Sequence, residues 1–229
     1  MAETNREGRT AYAAARHLIV DIETLGLTVP APVLSIGAVF LDCSAGLPAS
    51  MRTWQVKVDP KKCIGEPDPK TLDWWSKQSE EARREAFEAT PDANPFGKFL
   101  GFVRDVKPTY FWGKSHDFDF GHLGAQIEAL GIRPPWTYWR LRDIRTIEGL
   151  GLHYDGDDAL LTELRDRNAS ALQHSAISDA LVETELLYEA ILATETGGLI
   201  VGTSQARAVS LMRCAARSWN GSADRTWPT

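Results

Sequence analysis

The sequence predicts an α/β protein in which a mixed β-sheet is flanked by helices. Three early segments have strand patterns: one ends at Ile22, and the others cover 33–41 and 52–58. The connections between them are short, which favours an antiparallel meander. Further along the chain, strand and helix patterns alternate, which is typical of helices packed on a sheet.

The strands are predicted from apolar or alternating runs bounded by turn residues. Leu18 to Val20 form the apolar centre of the first strand, and the proline-containing loop 25–32 separates it from the second. Gly46 and Pro48 mark the turn before the third strand, in which apolar residues alternate. The fourth and fifth predicted strands are 110–112 and 139–144.

The helices are predicted from apolar residues at intervals of three or four. Phe96, Phe99 and Val103 have this spacing, and Pro108 ends the helix that contains them. Gly131 ends the following helix, because glycine is favoured just beyond a helix end. The predicted helices cover 71–79, 80–90, 94–106, 119–130, 175–192 and 205–216.

Length and composition indicate one globular domain. The chain has 229 residues, of which 43% are hydrophobic and 24% charged, and its formal net charge is −6. A protein that coats nucleic acid would be basic, whereas metal-binding acids contribute negative charge. We expect a flexible lead-in over 1–15, one main domain over 16–197, and a C-terminal helix and tail over 198–229 that is part of the same domain or appended to it.

The cysteines and the apolar runs indicate the cellular compartment in which the protein is expected. Cys43, Cys63 and Cys214 are odd in number and contain no Cys-x-x-Cys pair, so neither a disulfide framework nor a zinc site is predicted. A reducing cytosol fits this pattern. The first ten residues lack the apolar core of a secretory signal, and no apolar run is long enough to span a membrane. We therefore expect a cytoplasmic protein without a membrane partner.

The most informative feature is a pair of acids, Asp21 and Glu23, at the end of the first strand. Because strand side chains alternate between faces, both carboxylates point the same way. Two carboxylates beside an apolar run need a cation, shared protons or solvent. Open α/β sheets place active sites at the ends of central strands, so the pair predicts a divalent metal. The alternative is an exposed strand end with two solvated acids.

Two later segments supply further acids and a histidine. Asp119 follows the fourth strand, and His174 precedes Asp179 by five positions at the start of a helix. The order Asp-x-Glu, then Asp, then His-x4-Asp resembles the three motifs of the DEDDh 3'-5' exonucleases, a superfamily with a ribonuclease H-like fold. The resemblance extends from His17 to Tyr188.

A further segment narrows the resemblance to one branch. Residues 71–79 read Thr-Leu-Asp-Trp-Trp-Ser-Lys-Gln-Ser, which is similar to the Thr-x-x-Trp-Trp-x-x-Gln-Ser signature of the phage exonuclease A branch. That branch includes bacterial 3'-5' exoribonuclease-like proteins. Pro135, Trp136, Trp139 and 142–146 resemble a later segment of it. The branch is therefore favoured over the oligoribonuclease, ribonuclease T and polymerase-proofreading branches.

The acid set predicts two divalent cations, Mg²⁺ or Mn²⁺, held by Asp21, Glu23, Asp119 and Asp179. Oxygen ligands suit these hard ions, and two ions can stabilise both the attacking and the leaving oxygen of a phosphodiester. His174 is the expected general base, since an ordinary histidine pKa of about 6.5 suits proton transfer near neutral pH. Positions five apart do not share a helix face, so we expect His174 in the preceding loop.

Neighbouring residues leave alternatives open. Asp117 competes with Asp119, but the family pattern Phe-Asp-x-x-x-Leu favours Asp119 and leaves Asp117 as a neighbour or a helix cap. His116 and His122 are expected to be exposed or buried in the core rather than catalytic. The arginines beside Trp139 could follow a phosphate backbone, remain solvated, or pair with acids. They are Arg140, Arg142 and Arg145, and the acids are Asp143 and Glu148.

Substrate contacts are expected at two places: directly after the first motif, and at a pair of tryptophans further along the chain. In the resembling enzymes the position of Thr24 and Leu25 meets the 3'-terminal nucleotide. Trp74 and Trp75 point about 100° apart on a helix, so one can stack on a base while the other lies in the core. Two core tryptophans are the alternative interpretation.

These features predict a two-metal 3'-5' exonuclease that releases nucleoside 5'-monophosphates from 3' ends of single-stranded nucleic acid, with RNA slightly favoured. A 3'-5' exodeoxyribonuclease is the first alternative. An endonuclease of the ribonuclease H type, a non-catalytic nucleic-acid-binding module and a glycosidase are further ones. A glycosidase would leave the histidine motif and the third acid without roles. Several relatives pair, so the resemblance also suggests a homodimer.

Overall fold

A computed structural model describes residues 11–47, 49–151 and 174–196. Its five strands form one sheet in the order β3-β2-β1-β4-β5. The first three strands are antiparallel neighbours, whereas β1, β4 and β5 are parallel. The predicted mixed sheet is thereby confirmed. The strands are β1 (Arg16–Thr24), β2 (Val33–Asp42), β3 (Ser50–Lys57), β4 (Tyr110–Gly113) and β5 (Leu141–Asp143).

Helices cover both faces of the sheet. Three of them begin where side chains cap the first turn: Asp68, Ser79 and Asn94 accept backbone N–H groups there. A proline stands at the first position of α1 and of α3, where no N–H is needed. The helices are α1 (Pro69–Ser76), α2 (Glu80–Phe87), α3 (Pro95–Val106), α4 (His116–Ala129), α5 (Ile144–Gly151) and α6 (Ala176–Thr196).

Strand β1 lies in the centre of the sheet and divides the core into two layers. Leu18 and Val20 pack into the layer that contains α3 and α4. Ile19 packs into the opposite layer, with α5 and α6. Because side chains alternate along a strand, Asp21 and Glu23 share the face of Ile19. The two acids therefore point toward the side of the sheet that α6 covers.

A glycine in β2 allows α6 to approach the sheet at this point. Gly37 pairs with Asp21 across the strands. A Cβ on Gly37 would lie 2.3 Å from the backbone carbon of Ala176 and 2.3 Å from the backbone nitrogen of Ile177. Only a residue without a side chain permits so close an approach. The first turn of α6, which carries Asp179, is thereby placed directly over the acid-bearing end of β1.

The largest departure from the sequence prediction concerns 139–144. Only Leu141–Asp143 forms a strand, because a 3₁₀ turn covers Tyr138–Arg140 and α5 begins at Ile144. The helix was not predicted. Its first turn is capped by Asp143, whose carboxylate Oδ1 accepts the N–H of Arg145 at 2.8 Å.

Other boundaries shift by a few residues. Helix α1 begins earlier than predicted, at Pro69, because Asp68 caps it; helix α4 begins at His116 rather than at Asp119. Residues 11–15, predicted as part of a flexible lead-in, form turns in which Ala13 is buried. Predictions for 1–10 and for 198–229, including the helix 205–216, lie outside the described residues. Among the described helices, none combines the length and apolar character needed to cross a membrane.

Candidate active site

Three carboxylates from two elements converge at the end of β1. Asp21 and Glu23 come from the strand, and Asp179 comes from the first turn of α6. Each offers an oxygen atom, and the three oxygens lie within 4.8 Å of one another. We call these three residues the strand-end acid cluster. The side chains that the sequence predicted as ligands on β1 and α6 are thus brought together.

The electrostatics of the strand-end acid cluster are unfavourable for three bare anions. Burial raises the pKa of Glu23 to about 8; the charge of Asp179 adds to this effect and Lys57 opposes it. Burial is also the largest cause that raises the pKa of Asp21 well above its ordinary value. Repulsion from Asp119 and Glu183 raises this pKa further. The folded chain therefore either retains protons here or gains from a cation.

Asp119 reaches the same region from the first turn of α4. Its side chain is buried, and its Oδ2 atom has no hydrogen-bond partner among the described residues. The backbone N–H of Ile22, between the two acids of β1, donates to the Asp119 carboxylate and partly offsets the rise in its pKa that burial causes. Asp117, the competing candidate, is exposed. The geometry therefore supports Asp119 rather than Asp117.

His174 lies just outside α6, as the spacing predicted. Its backbone is in the left-handed region, with φ of +60°. Burial raises the pKa of Asp179, whereas the charge of His174 and a hydrogen bond from the His174 backbone N–H to the Asp179 carboxylate lower it. The imidazole packs against Trp74, with ring centroids 4.7 Å apart. The expected base is therefore next to a member of the strand-end acid cluster.

Sequence reasoning missed a fifth acid, Glu183. This residue is 5% exposed and lies one helical turn beyond Asp179 on α6. Its charge contributes to the raised pKa of Asp21. The spacing of four between Asp179 and Glu183 places both on one helix face and was the available signal. Gly37 was also missed, because a glycine inside an apolar strand does not reveal what packs against it.

The four predicted substrate contacts differ in accessibility. Trp75 is 2% exposed, and its Nε1 donates to the carbonyl of Thr24 at 3.0 Å. Thr24 and Leu25 are buried as well. Trp74 is 41% exposed and faces His174. Only Trp74 therefore presents a free side-chain surface among the four, with Trp75 in the core.

The arginines near Trp139 are mostly used inside the chain. Arg140 donates to the carbonyls of Thr109 and Pro108. Arg142 donates to the hydroxyl of Tyr12 at 2.8 Å and to two neighbouring carbonyls. These bonds differ from the phosphate, solvent and ion-pair alternatives that the sequence left open. Arg145, in contrast, is exposed.

A second group of possible ligands lies at the start of α4. His116, Asp117 and Asp143 offer atoms within 4.8 Å of one another. His116 Nδ1 lies 3.5 Å from Asp143 Oδ2, whereas Asp143 Oδ1 accepts backbone N–H groups from Ser115 and Arg145. We call these three residues the helix-start cluster. Its central carboxylate already has partners in the protein.

His122 and His17 have structural roles. His122 Nδ1 accepts the N–H of Ala31 at 3.1 Å in the core. His17 Nδ1 accepts the indole N–H of Trp112 at 3.0 Å, and burial lowers the His17 pKa to about 4. Both therefore lie apart from the chemistry of the strand-end acid cluster.

Comparison with solved structures identifies the fold. The chain is similar to cell-death related nuclease 4 (CRN-4), with 14% identity and a TM-score of 0.55 over 80% of this chain and 64% of that one. It is also similar to the nuclease domain of 3'hExo, a DEDDh family member bound to rAMP, with 13% identity, a TM-score of 0.51, and coverage of 80% and 94%. These likenesses establish the ribonuclease H-like fold.

A third neighbour is the E. coli ExoI–ssDNA complex in its metal-free form, with 15% identity and a TM-score of 0.54. The match covers 81% of this chain but 41% of that one.

No curated protein sequence matches the chain. Residues 16–191 match the model of the Rv2179c-like domain, described as a 3'-5' exoribonuclease domain. The chain therefore belongs to that exonuclease family.

Proposed function

We propose that this chain is a two-metal-ion 3'-5' exonuclease acting on the 3' ends of single-stranded nucleic acid. It hydrolyses phosphodiester bonds and releases nucleoside 5'-monophosphates, with RNA favoured over DNA. The observation that carries the proposal is the convergence of the Asp21, Glu23 and Asp179 oxygens within 4.8 Å. The exoribonuclease description of the matching family supports RNA.

The donor set fits hard divalent cations. Asp21, Glu23, Asp119 and Asp179 would hold two Mg²⁺ or Mn²⁺ ions, since these ions prefer carboxylate oxygens. The raised carboxyl pKa values support this assignment, as does the Oδ2 atom of buried Asp119, which lacks a hydrogen-bond partner among the described residues. When bound, the ions supply charge neutralisation and an activated water for phosphodiester hydrolysis.

The chain's own residues supply proton transfer and charge. His174 takes a proton from the attacking water, and its hydrogen bond to Asp179 keeps it beside the site. Burial raises the pKa of Asp179 and of Asp119, and the charges of Lys114 and Arg145, respectively, oppose this rise, so both cations bring positive charge close to the site. A substrate phosphate would meet these two cations. Trp74 is the proposed stacking surface for a terminal base.

Matched 5'-labelled single-stranded RNA and DNA test the proposal, each with Mg²⁺, Mn²⁺ or chelator. A ladder that shortens from the 3' end only with metal supports it, and the faster substrate identifies the preferred sugar. Asp21→Asn is the inactive control. Cutting of a circular single strand would instead indicate an endonuclease, and binding without turnover would indicate a non-catalytic module. A homodimer and a cytoplasmic location stay predictions.

A further inference from the structure

We propose that Trp74 is a positioning residue that holds the His174 imidazole over the strand-end acid cluster. The role of His174 as the base rests on the proposed function, whereas the ring contact itself does not. Trp74 and His174 come from distant parts of the chain, yet their ring centroids are 4.7 Å apart with planes at 81°. Aromatic rings favour such edge-to-face geometry.

The helix that carries Trp74 is fixed to the acid-bearing strand. Asp68, the cap of α1, donates its backbone N–H to the carbonyl of Leu25 at 2.7 Å. The buried indole of Trp75 donates to the carbonyl of Thr24 at 3.0 Å. Both acceptors directly follow Glu23. Helix α1 therefore has a defined position relative to the carboxylates of β1.

From this anchored helix the tryptophan pair forms a wall beside His174. The Trp74 and Trp75 rings are 5.0 Å apart at 76°, and Trp75 lies 6.4 Å from the imidazole. Trp74 is 41% exposed, although it is a large apolar side chain. Burial in the core therefore does not account for its placement, whereas the contact with His174 does.

The wall restrains the imidazole without using its nitrogens. The described contacts of the imidazole are with the rings of Trp74 and Trp75, whereas the His174 backbone N–H donates to the Asp179 carboxylate. The backbone of His174 is in the left-handed region, which few residues other than glycine adopt. Among the described residues, the aromatic contacts therefore restrain the ring, and ring-to-ring packing does not use a nitrogen lone pair that proton transfer would need.

A double-mutant cycle separates positioning of the base from stacking on the substrate. We expect Trp74→Ala to lower kcat roughly 10- to 100-fold, because small misplacements of a catalytic group have effects of this order. Trp74→Phe, which retains an aromatic ring, should keep most of the activity. In a His174→Ala background, Trp74→Ala should change kcat less than about twofold, because no base remains to be positioned. An equal loss in both backgrounds would overturn the proposal, and any effect on KM reports stacking separately.

The imidazole can also be observed without substrate. Ring currents of Trp74 should displace the NMR signals of the His174 ring protons, and Trp74→Ala should return them toward values of an exposed histidine. Trp139→Ala, which removes another exposed tryptophan, is the matched control and should alter neither the signals nor kcat. Unchanged His174 signals in Trp74→Ala would overturn the proposal even in an active exonuclease. If the wild-type chain has no nuclease activity, the proposed function fails, whereas the NMR result still decides whether Trp74 holds the ring.

Discussion

Two groups of possible metal ligands lie close together in this molecule and differ in how their charges are satisfied. The strand-end acid cluster and the helix-start cluster each bring three ligand atoms within 4.8 Å. In the first, burial and mutual repulsion raise the carboxyl pKa values, and neighbouring Asp119 has an oxygen without a partner in the described chain. In the second, Asp143 accepts two backbone N–H groups, and Asp117 is exposed.

The difference shows that proximity of ligand atoms does not by itself define a metal site. Exposed or hydrogen-bonded carboxylates are stable without a cation, whereas carboxylates forced together beside a core are not. The backbone of the fold brings the strand-end acids together, because Gly37 admits α6 onto the sheet. The comparison therefore supports the proposal that the strand-end acid cluster binds metal, whereas Asp143 caps backbone N–H groups.

The sharpest test of this assignment is a pair of matched substitutions. Asp21→Asn should abolish metal-dependent nuclease activity, because it removes a proposed metal ligand while preserving the shape of the side chain. Substituting residues that hydrogen-bond to metal ligands lowers metal affinity or activity roughly 10–100-fold. Loss of a ligand itself should lower activity by more than this. Asp117→Asn removes an equal charge from the helix-start cluster and should leave kcat/KM within about twofold of wild type. Similar losses of nuclease activity in the two variants would contradict the distinction between the two clusters.

Gly37→Ala tests whether the close approach of α6 creates the strand-end acid cluster. The new Cβ would lie 2.3 Å from backbone atoms that cannot rotate away. We expect a loss of about 2 kcal/mol or more in the free energy of unfolding, together with weakened Mn²⁺ binding. Gly101→Ala is the control, since nothing lies within 4 Å of the added atom and alanine favours a helix. Wild-type metal affinity in a folded Gly37→Ala protein would contradict this explanation.

The raised pKa values predict a pH dependence of stability in the absence of metal. Glu23 has a pKa of about 8 in the folded chain against an ordinary 4.5, so the native state holds more protons than the unfolded state between these values. Stability should therefore be greatest below pH 4.5 for this group and decline as the pH rises toward 8. The decline is of the order of 1 kcal/mol or more, which urea unfolding in chelator can measure.

Divalent metal should reduce this decline, because a bound cation stabilises the ionised carboxylates. Glu23→Gln should make the decline in chelator smaller without removing it, because burial also raises the pKa values of Asp21, Asp119 and Asp179. Asp117→Asn should leave the decline unchanged. The contribution of His17 has the opposite trend: its folded pKa of about 4 lies below the ordinary 6.5, so its part of the stability is lost as the pH falls from 6.5 to 4. Measurements from pH 6.5 to 8 isolate the carboxyl effect. A flat profile there in chelator would contradict the burial of the acids.

Most of the sheet was predictable, because its strands are apolar runs bounded by turn residues. The Asp-x-Glu spacing placed both acids on one face of β1, and the spacing of His174 and Asp179 predicted a loop-borne histidine. Helix α5 was missed because the predicted strand 139–144 ran into its first residue, Ile144, although Ile144 and Ile147 have the spacing of a helix. Glu183 and Gly37 matter through α6 packing on β2, a contact between segments distant in the sequence. The choice between Trp74 and Trp75 likewise required the position of Thr24.

The smallest expected effect concerns Asp143, and it decides what the helix-start cluster is for. Asp143→Ala removes the acceptor of the Ser115 and Arg145 N–H groups and should lower stability by about 1 kcal/mol, as loss of a helix cap does. Asp143→Asn retains an acceptor oxygen without the charge and should be nearly as stable as wild type. If the carboxylate were instead a metal ligand, asparagine and alanine would both weaken Mn²⁺ binding strongly. A capping role for Asp143 predicts that unfolding in urea distinguishes the two variants. A Mn²⁺ titration should give similar midpoints for both, because the proposed ligands lie on β1, α4 and α6 rather than on β5.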